Sequence, residues 1–159
     1  MPAMILTSLV FAAALGSGLL AGLFFIFSNT IMSALARLPA AQGMAAMQSI
    51  NVTILNPLFL AVFMGTSLLC LVLVAAVLLG WAGPNWGFVA AGGLLLLVGM
   101  FGVTMFFNVP MNEALVAATA DSAGTTLWAD YLSRWTMWNH VRTIASLGAL
   151  AAFMAALMR

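Results

Sequence analysis

Asn139, His140 and Arg142 stand almost side by side in the run Trp135-Thr136-Met137-Trp138-Asn139-His140-Val141-Arg142-Thr143. An imidazole exchanges protons near neutral pH, a guanidinium holds developing negative charge, and an amide donates and accepts hydrogen bonds without adding charge. That combination can exchange a proton and hold developing negative charge at one place, with His140 and Arg142 as the candidate catalytic pair. Asn29, Asn56, Asn108, Asn112 and Asn139 supply amides for gripping a polar atom of a ligand, and Trp135 and Trp138 supply flat apolar surfaces. These are the candidate substrate-binding residues. No metal is expected, because His140 is the only histidine and Cys70 the only cysteine, whereas zinc usually takes three or four protein ligands.

These residues sit in an extremely apolar chain. Of its 159 residues 65% are hydrophobic and only 4% charged, against roughly a quarter charged in soluble domains. A water-soluble fold is excluded in practice. The net charge of +1 gives no reason to expect nucleic acid, and the single cysteine forbids an intrachain disulfide. Four apolar stretches, at about 4–34, 54–81, 86–109 and from 126 or 138 to 158, each approach the roughly 20 residues a bilayer-crossing helix needs. The first has no Lys or Arg ahead of it and exceeds a secretory signal core, so it reads as a retained helix. Only helices satisfy their own backbone over such lengths in lipid. The expected fold is all-α: one integral membrane domain over residues 1–159, an up-and-down four-helix bundle with short interfacial helices in the loops of its polar side.

Alternation of direction decides what shares that side. The end of the first helix (Ser28, Asn29), the start of the second (Asn51, Asn56), the end of the third (Asn108, Asn112) and the start of the fourth (Asn139, His140, Arg142) fall together. Helical spacing aligns Gly18, Gly22, Phe25 and Asn29 on one helix; Asn56, Phe63, Ser67 and Cys70 on the next; Thr104, Asn108 and Asn112 on the third; and Asn139, Arg142, Thr143 and Ser146 on the last. Four such strips are expected to converge on a polar pocket beneath one membrane surface.

Plainer roles compete at each position. Asn56 before Pro57 fits an N-cap followed by proline in the first turn. Pro110 frees the Phe106 carbonyl, which Asn108 or Asn112 would help to satisfy. Gly18 and Gly22 have the spacing of a close helix contact, within the chain or between copies. Trp128, Tyr131, Trp135 and Trp138 suit an interfacial anchor as well as a ring pocket. Arg142 could form an ion pair with Glu113 that merely staples two helices. Ionisable groups within membrane helices nevertheless point to function by default.

The motifs Asn51-Val52-Thr53-Ile54-Leu55-Asn56-Pro57, Asn108-Val109-Pro110-Met111-Asn112 and above all Trp135 to Thr143 resemble the anthrone oxygenase family of small four-helix membrane proteins. The resemblance runs from about Gly22 to the end. It implies oxygenation of a hydrophobic, anthrone-type aromatic to a quinone, with dioxygen as co-substrate and no metal or flavin. His140 would then remove an acidic ring proton, and Arg142 with Asn139 or Asn108 would hold the oxyanion. A non-enzymatic membrane subunit or a lipid- or quinone-binding protein is the competing reading, and an oxidase that pools His140 from several copies around a metal is a third. The expected surroundings are a lipid bilayer and further copies of the chain in a homo-oligomer, in a multi-pass cell-membrane protein. Arg37, Arg134 and Arg142 on the polar side against Arg159 on the other tilt that side toward the cytoplasm without fixing the orientation.

Overall fold

The computed structural model describes residues 3–83, 86–118 and 122–158; Asn85, Asp121 and Arg159 lie outside the described residues. The first span starts as α1 (Ala3–Ile26), passes through a π-helical turn at Phe27–Ile31 and ends on an α turn at Met32–Leu35. Next come α2 (Ala40–Thr53) and α3 (Pro57–Leu78). The third span runs from α4 (Trp86–Leu94) through π-helical segments at Leu95–Gly102 and Thr104–Asn108 into α5 (Val109–Val116). The last helix, α6, covers Ser122–Leu157. Four stretches are long and apolar enough to cross a membrane: Met4–Leu35, Pro57–Leu78, Trp86–Val116 and Thr126–Leu157. Among the described residues there is no strand.

Two boundaries differ from expectation. The third span does not stop near residue 109 but carries Pro110 inside it. The Val109 N–H bonds to the Thr104 carbonyl, five residues back, so a wide turn immediately precedes the proline, whose ring and missing donor disturb an ordinary helical turn. The last helix also begins earlier, at Ser122. Its polar residues do not interrupt it: Asp130 and Arg134 pair on an exposed face at 3.4 Å, while Trp128, Tyr131 and Trp135 are buried.

Close approaches reveal the up-and-down order. A Cβ added to Gly92 would meet the Phe153 ring at 2.6 Å, and one added to Gly99 would meet Ala145 Cβ at 2.5 Å. Further along, Thr104 reaches Arg142, and Asn108 reaches Trp135. The third and fourth spans therefore run antiparallel. Gly18 against Leu150 and Phe24 against Asn139 show the same for the first and fourth, and Gly93 against Val74 for the second and third. The turn joining the latter needs glycine at Gly80 and Gly83, whose φ values are 73° and 67°.

Lipid tails are as apolar as leucine, so tight packing and hydrogen bonds between spans must hold the bundle. One buried cluster centres on Leu20, Leu73, Leu96, Met100 and Phe153. A second lies at the polar end, where Met44 and Met47 of α2 cover Trp128, Tyr131 and Trp135 of α6. The short helix expected between the first two spans is thus α2, seated so closely that a Cβ at Gly43 would meet Trp128 at 2.8 Å. Gln48 ties it to the end of α5 by donating to the Leu115 carbonyl at 2.7 Å.

Candidate functional site

Arg142 is 5% exposed within the fourth span. Its Nη2 donates to Asn139 Oδ1 at 2.6 Å and its Nη1 to Thr104 Oγ1 at 3.4 Å, while its Nε is buried without a hydrogen-bond partner. The guanidinium carbon lies 4.4 Å from the Phe24 ring centroid and 5.0 Å from that of Trp135. No carboxylate answers this charge: among the described residues the ion pair is Arg134 with Asp130, so the expected staple between Arg142 and Glu113 is not formed. Each aromatic face contributes about 0.5–2 kcal/mol to a nearby cation, whereas burying an ion costs several kcal/mol. Among the described residues the cation is therefore held by neutral groups and ring faces rather than by a carboxylate.

Its surroundings are held firmly. Asn139, fully buried, donates through Nδ2 to the Phe24 carbonyl at 2.7 Å and to Ser28 Oγ at 2.6 Å. The π-helical turn at Phe27–Ile31 starts three residues after Phe24 and includes Ser28, and such turns often mark functional positions. Across the bundle, Asn112 Oδ1 accepts from Tyr131 Oη at 2.8 Å and from Trp135 Nε1 at 2.9 Å. Asn108, 1% exposed, donates to the Trp135 carbonyl at 3.3 Å, and its Oδ1 is buried without a partner.

A cavity of about 320 Å³ opens beside Arg142, at the small end of the range for ligand pockets. Leu23, Phe24 and Phe27 wall it on the first span, Ile50 to Val52 with Ile54 and Leu55 on α2 and its exit, and Phe59 on α3. Thr104, Val109, Asn112, Glu113 and Val116 line the third-span side, with Trp135 and Arg142 on α6. The walls are overwhelmingly apolar, and Arg142 and Glu113 are the ionisable groups among these lining residues. The site suits a flat apolar body bearing a polar or anionic oxygen.

The structure thus brings together Asn108, Asn112, Trp135, Asn139 and Arg142 and leaves four other sequence-derived positions apart. Asn29 and Asn56 are exposed, so of the four strips expected to converge only those of the third and fourth spans bring their amides, Asn108, Asn112 and Asn139, to the site. Gly22, Phe25 and Asn29 do share a face, but it is an outward one; the inward face carries Ser17, Leu20, Phe24 and Phe27. Asn56 is the N-cap of α3, accepting from the Phe59 N–H at 3.0 Å. Trp138 stacks on Phe107 with ring centroids 3.7 Å apart and does not line the cavity. His140 is likewise exposed and absent from the cavity wall. Phe24, Phe27, Ser28, Thr104, Tyr131 and Glu113 join the site although none was among the candidate catalytic or substrate-binding residues. Phe24 and Phe27 carried no sequence signal, whereas Ser28 stood at the polar end, Thr104 on the strip of Asn108, Tyr131 at helical spacing from Trp135, and Glu113 as a possible partner of Arg142. Among the described residues no group of three or more His, Cys, Asp or Glu side chains could hold a metal ion.

Fold and site together define a small multi-pass membrane bundle with an apolar, cation-bearing cavity at one end. The chain belongs to the anthrone oxygenase family, whose model matches residues 58–152, more than half of its length. The match contains the Asn108–Asn112 and Trp135–Thr143 motifs and starts just after Asn51–Pro57. No curated protein and no solved structure matches the chain.

Proposed function

We propose that the protein is a membrane oxygenase that converts a hydrophobic, anthrone-type aromatic ketone to a quinone with dioxygen, the substrate lying in the cavity with its oxygen on Arg142. The observation that carries this reading is the buried guanidinium, short of a counter-charge, facing an apolar cavity in a chain of this family. Ionising an anthrone places negative charge on its carbonyl oxygen, and a positioned cation in a water-poor site stabilises that charge. Asn139 fixes the guanidinium from one side and Thr104 from another, while Phe24, Phe27 and Trp135 provide surface for the rings. The ionised ring is electron-rich enough to react with dioxygen directly, so the reading calls for no resident metal or flavin.

Part of the same proposal is a homo-oligomer in the cell membrane. Gly22 supports it: a Cβ there would meet nothing within 4 Å, whereas Gly18 is already against Leu150, so only the Gly22 half of the pair is open to another copy.

The test is oxygen uptake and quinone formation by the purified protein in chelator-treated buffer across a panel of anthrones. Arg142→Gln, shown to be folded, is expected to lower kcat/KM by about 10²–10³, as for the loss of one oxyanion donor. Absence of turnover by the unaltered protein on every anthrone would replace this reading with a ligand-binding or subunit role.

A further inference from the structure

We propose that Glu113 is the group that takes the acidic ring proton, an assignment that rests on the oxygenase reading above. The base must border the same cavity as Arg142 without being neutralised by it. Glu113 lines that cavity, and no ion pair joins it to Arg142. Its helix presents Val109, Asn112, Glu113 and Val116 to the cavity, the i, i+3, i+4, i+7 spacing of one helical face. That face is fixed to α6, because Asn112 accepts hydrogen bonds from Tyr131 and Trp135. Glu113 is also exposed and lies three residues from the end of the third span, a short path to the membrane surface for a proton received from a ligand.

The geometry of an anthrone asks for such an arrangement. Its acidic CH2 group lies across the central ring from the carbonyl, so a substrate with its oxygen on Arg142 directs the acidic carbon away from the cation. In the first step a C–H bond breaks, the Glu113 carboxylate gains the proton, and the electron pair spreads to the oxygen held by Arg142. The carbanion then gives its electrons to dioxygen as a C–O bond forms, and the resulting peroxide anion takes the proton back from Glu113 to give a carbon-bound hydroperoxide. Loss of the second proton from that carbon to the regenerated carboxylate, with cleavage of the O–O bond, leaves a carbonyl and hydroxide, which becomes water with that second proton. The sum is CH2 + O2 → C=O + H2O.

The experiment compares the full-length protein with Glu113→Gln and Glu113→Asp, each checked for helical content and elution as folded protein, over a pH series with an anthrone that the unaltered protein turns over. Expected is a fall in kcat of about 10²–10⁴ for Glu113→Gln with KM changed only a few-fold, partial activity in Glu113→Asp, and recovery of Glu113→Gln at alkaline pH as the substrate ionises unaided. A purely structural role would not produce that alkaline rescue. Unchanged kcat and pH profile in Glu113→Gln would overturn the assignment while leaving the oxygenase reading in place, as would a loss that neither alkali nor aspartate relieves. An unaltered protein inactive on all anthrones would overturn both.

Discussion

Successive residues of a helix point about 100° apart, and this separates two neighbours of very different consequence. Asn139 is fully buried and engages the Phe24 carbonyl, Ser28 and Arg142, whereas His140 is exposed. Asn139→Leu would leave those three groups without the amide they share, each unsatisfied buried group costing about 1–3 kcal/mol. It should therefore lower the midpoint of thermal unfolding in detergent markedly and abolish turnover. His140→Ala should stay within about 0.5 kcal/mol of the parent, as exposed substitutions do, and keep its turnover. A fall of about 10²–10⁴ in His140→Ala would instead return the base role to the imidazole. Helical spacing alone set Asn139 on one strip with Arg142, Thr143 and Ser146, all four of which are buried, and left His140 off it; the imidazole was a candidate by its chemistry, not by its place on that strip. Arg142 was legible for a physical reason: a permanent cation inside an apolar stretch has few tolerable places to go.

The spans themselves were readable from hydropathy, since lipid leaves the backbone little choice but helix. Their phase was not. The π-helical turns at Phe27–Ile31 and Thr104–Asn108 add residues without adding a full turn, so a face projected at constant spacing drifts across them, and local sequence carries no strong mark of a π turn. Pro110 read as a stop because prolines usually end helices, yet within a membrane bundle neighbouring groups can satisfy what it frees. Glycines now discriminate between packed and open faces. Gly99→Ala would place its new carbon 2.5 Å from Ala145 Cβ, and Gly92→Ala 2.6 Å from Phe153, whereas Gly22→Ala meets nothing within 4 Å. Overpacking costs about 1–3 kcal/mol, so the first two should unfold at lower temperature than the parent, and Gly22→Ala should not as a single chain. Equal midpoints for all three, followed in the same detergent, would mean that the third and fourth spans are not in close contact.

At the scale of the whole molecule, the cavity is lined by a buried cation with neutral hydrogen-bond partners and by an exposed carboxylate not paired with it, and that has a thermodynamic consequence. Any ligand that binds the folded state alone stabilises it by RT ln(1 + [L]/Kd), about 2.7 kcal/mol at one hundred times Kd. Because Arg142 has neutral hydrogen-bond partners and a buried, unpaired Nε, an apolar anion should gain more from the site than a neutral molecule of the same shape. Apolar walls alone would not distinguish the two. A naphthol at a pH where it is ionised, set against its methyl ether, makes that comparison without any reaction with oxygen. The naphtholate is expected to raise the unfolding midpoint of the parent well above the ether, and Arg142→Met, if folded, to respond to both alike. The cation rather than the greasiness of the cavity then sets the preference, and the same preference would favour the ionised ring over its neutral precursor during turnover. Equal stabilisation of the parent by naphtholate and ether would show that Arg142 is satisfied within the bundle, and would remove the charge-based argument for an oxyanion site.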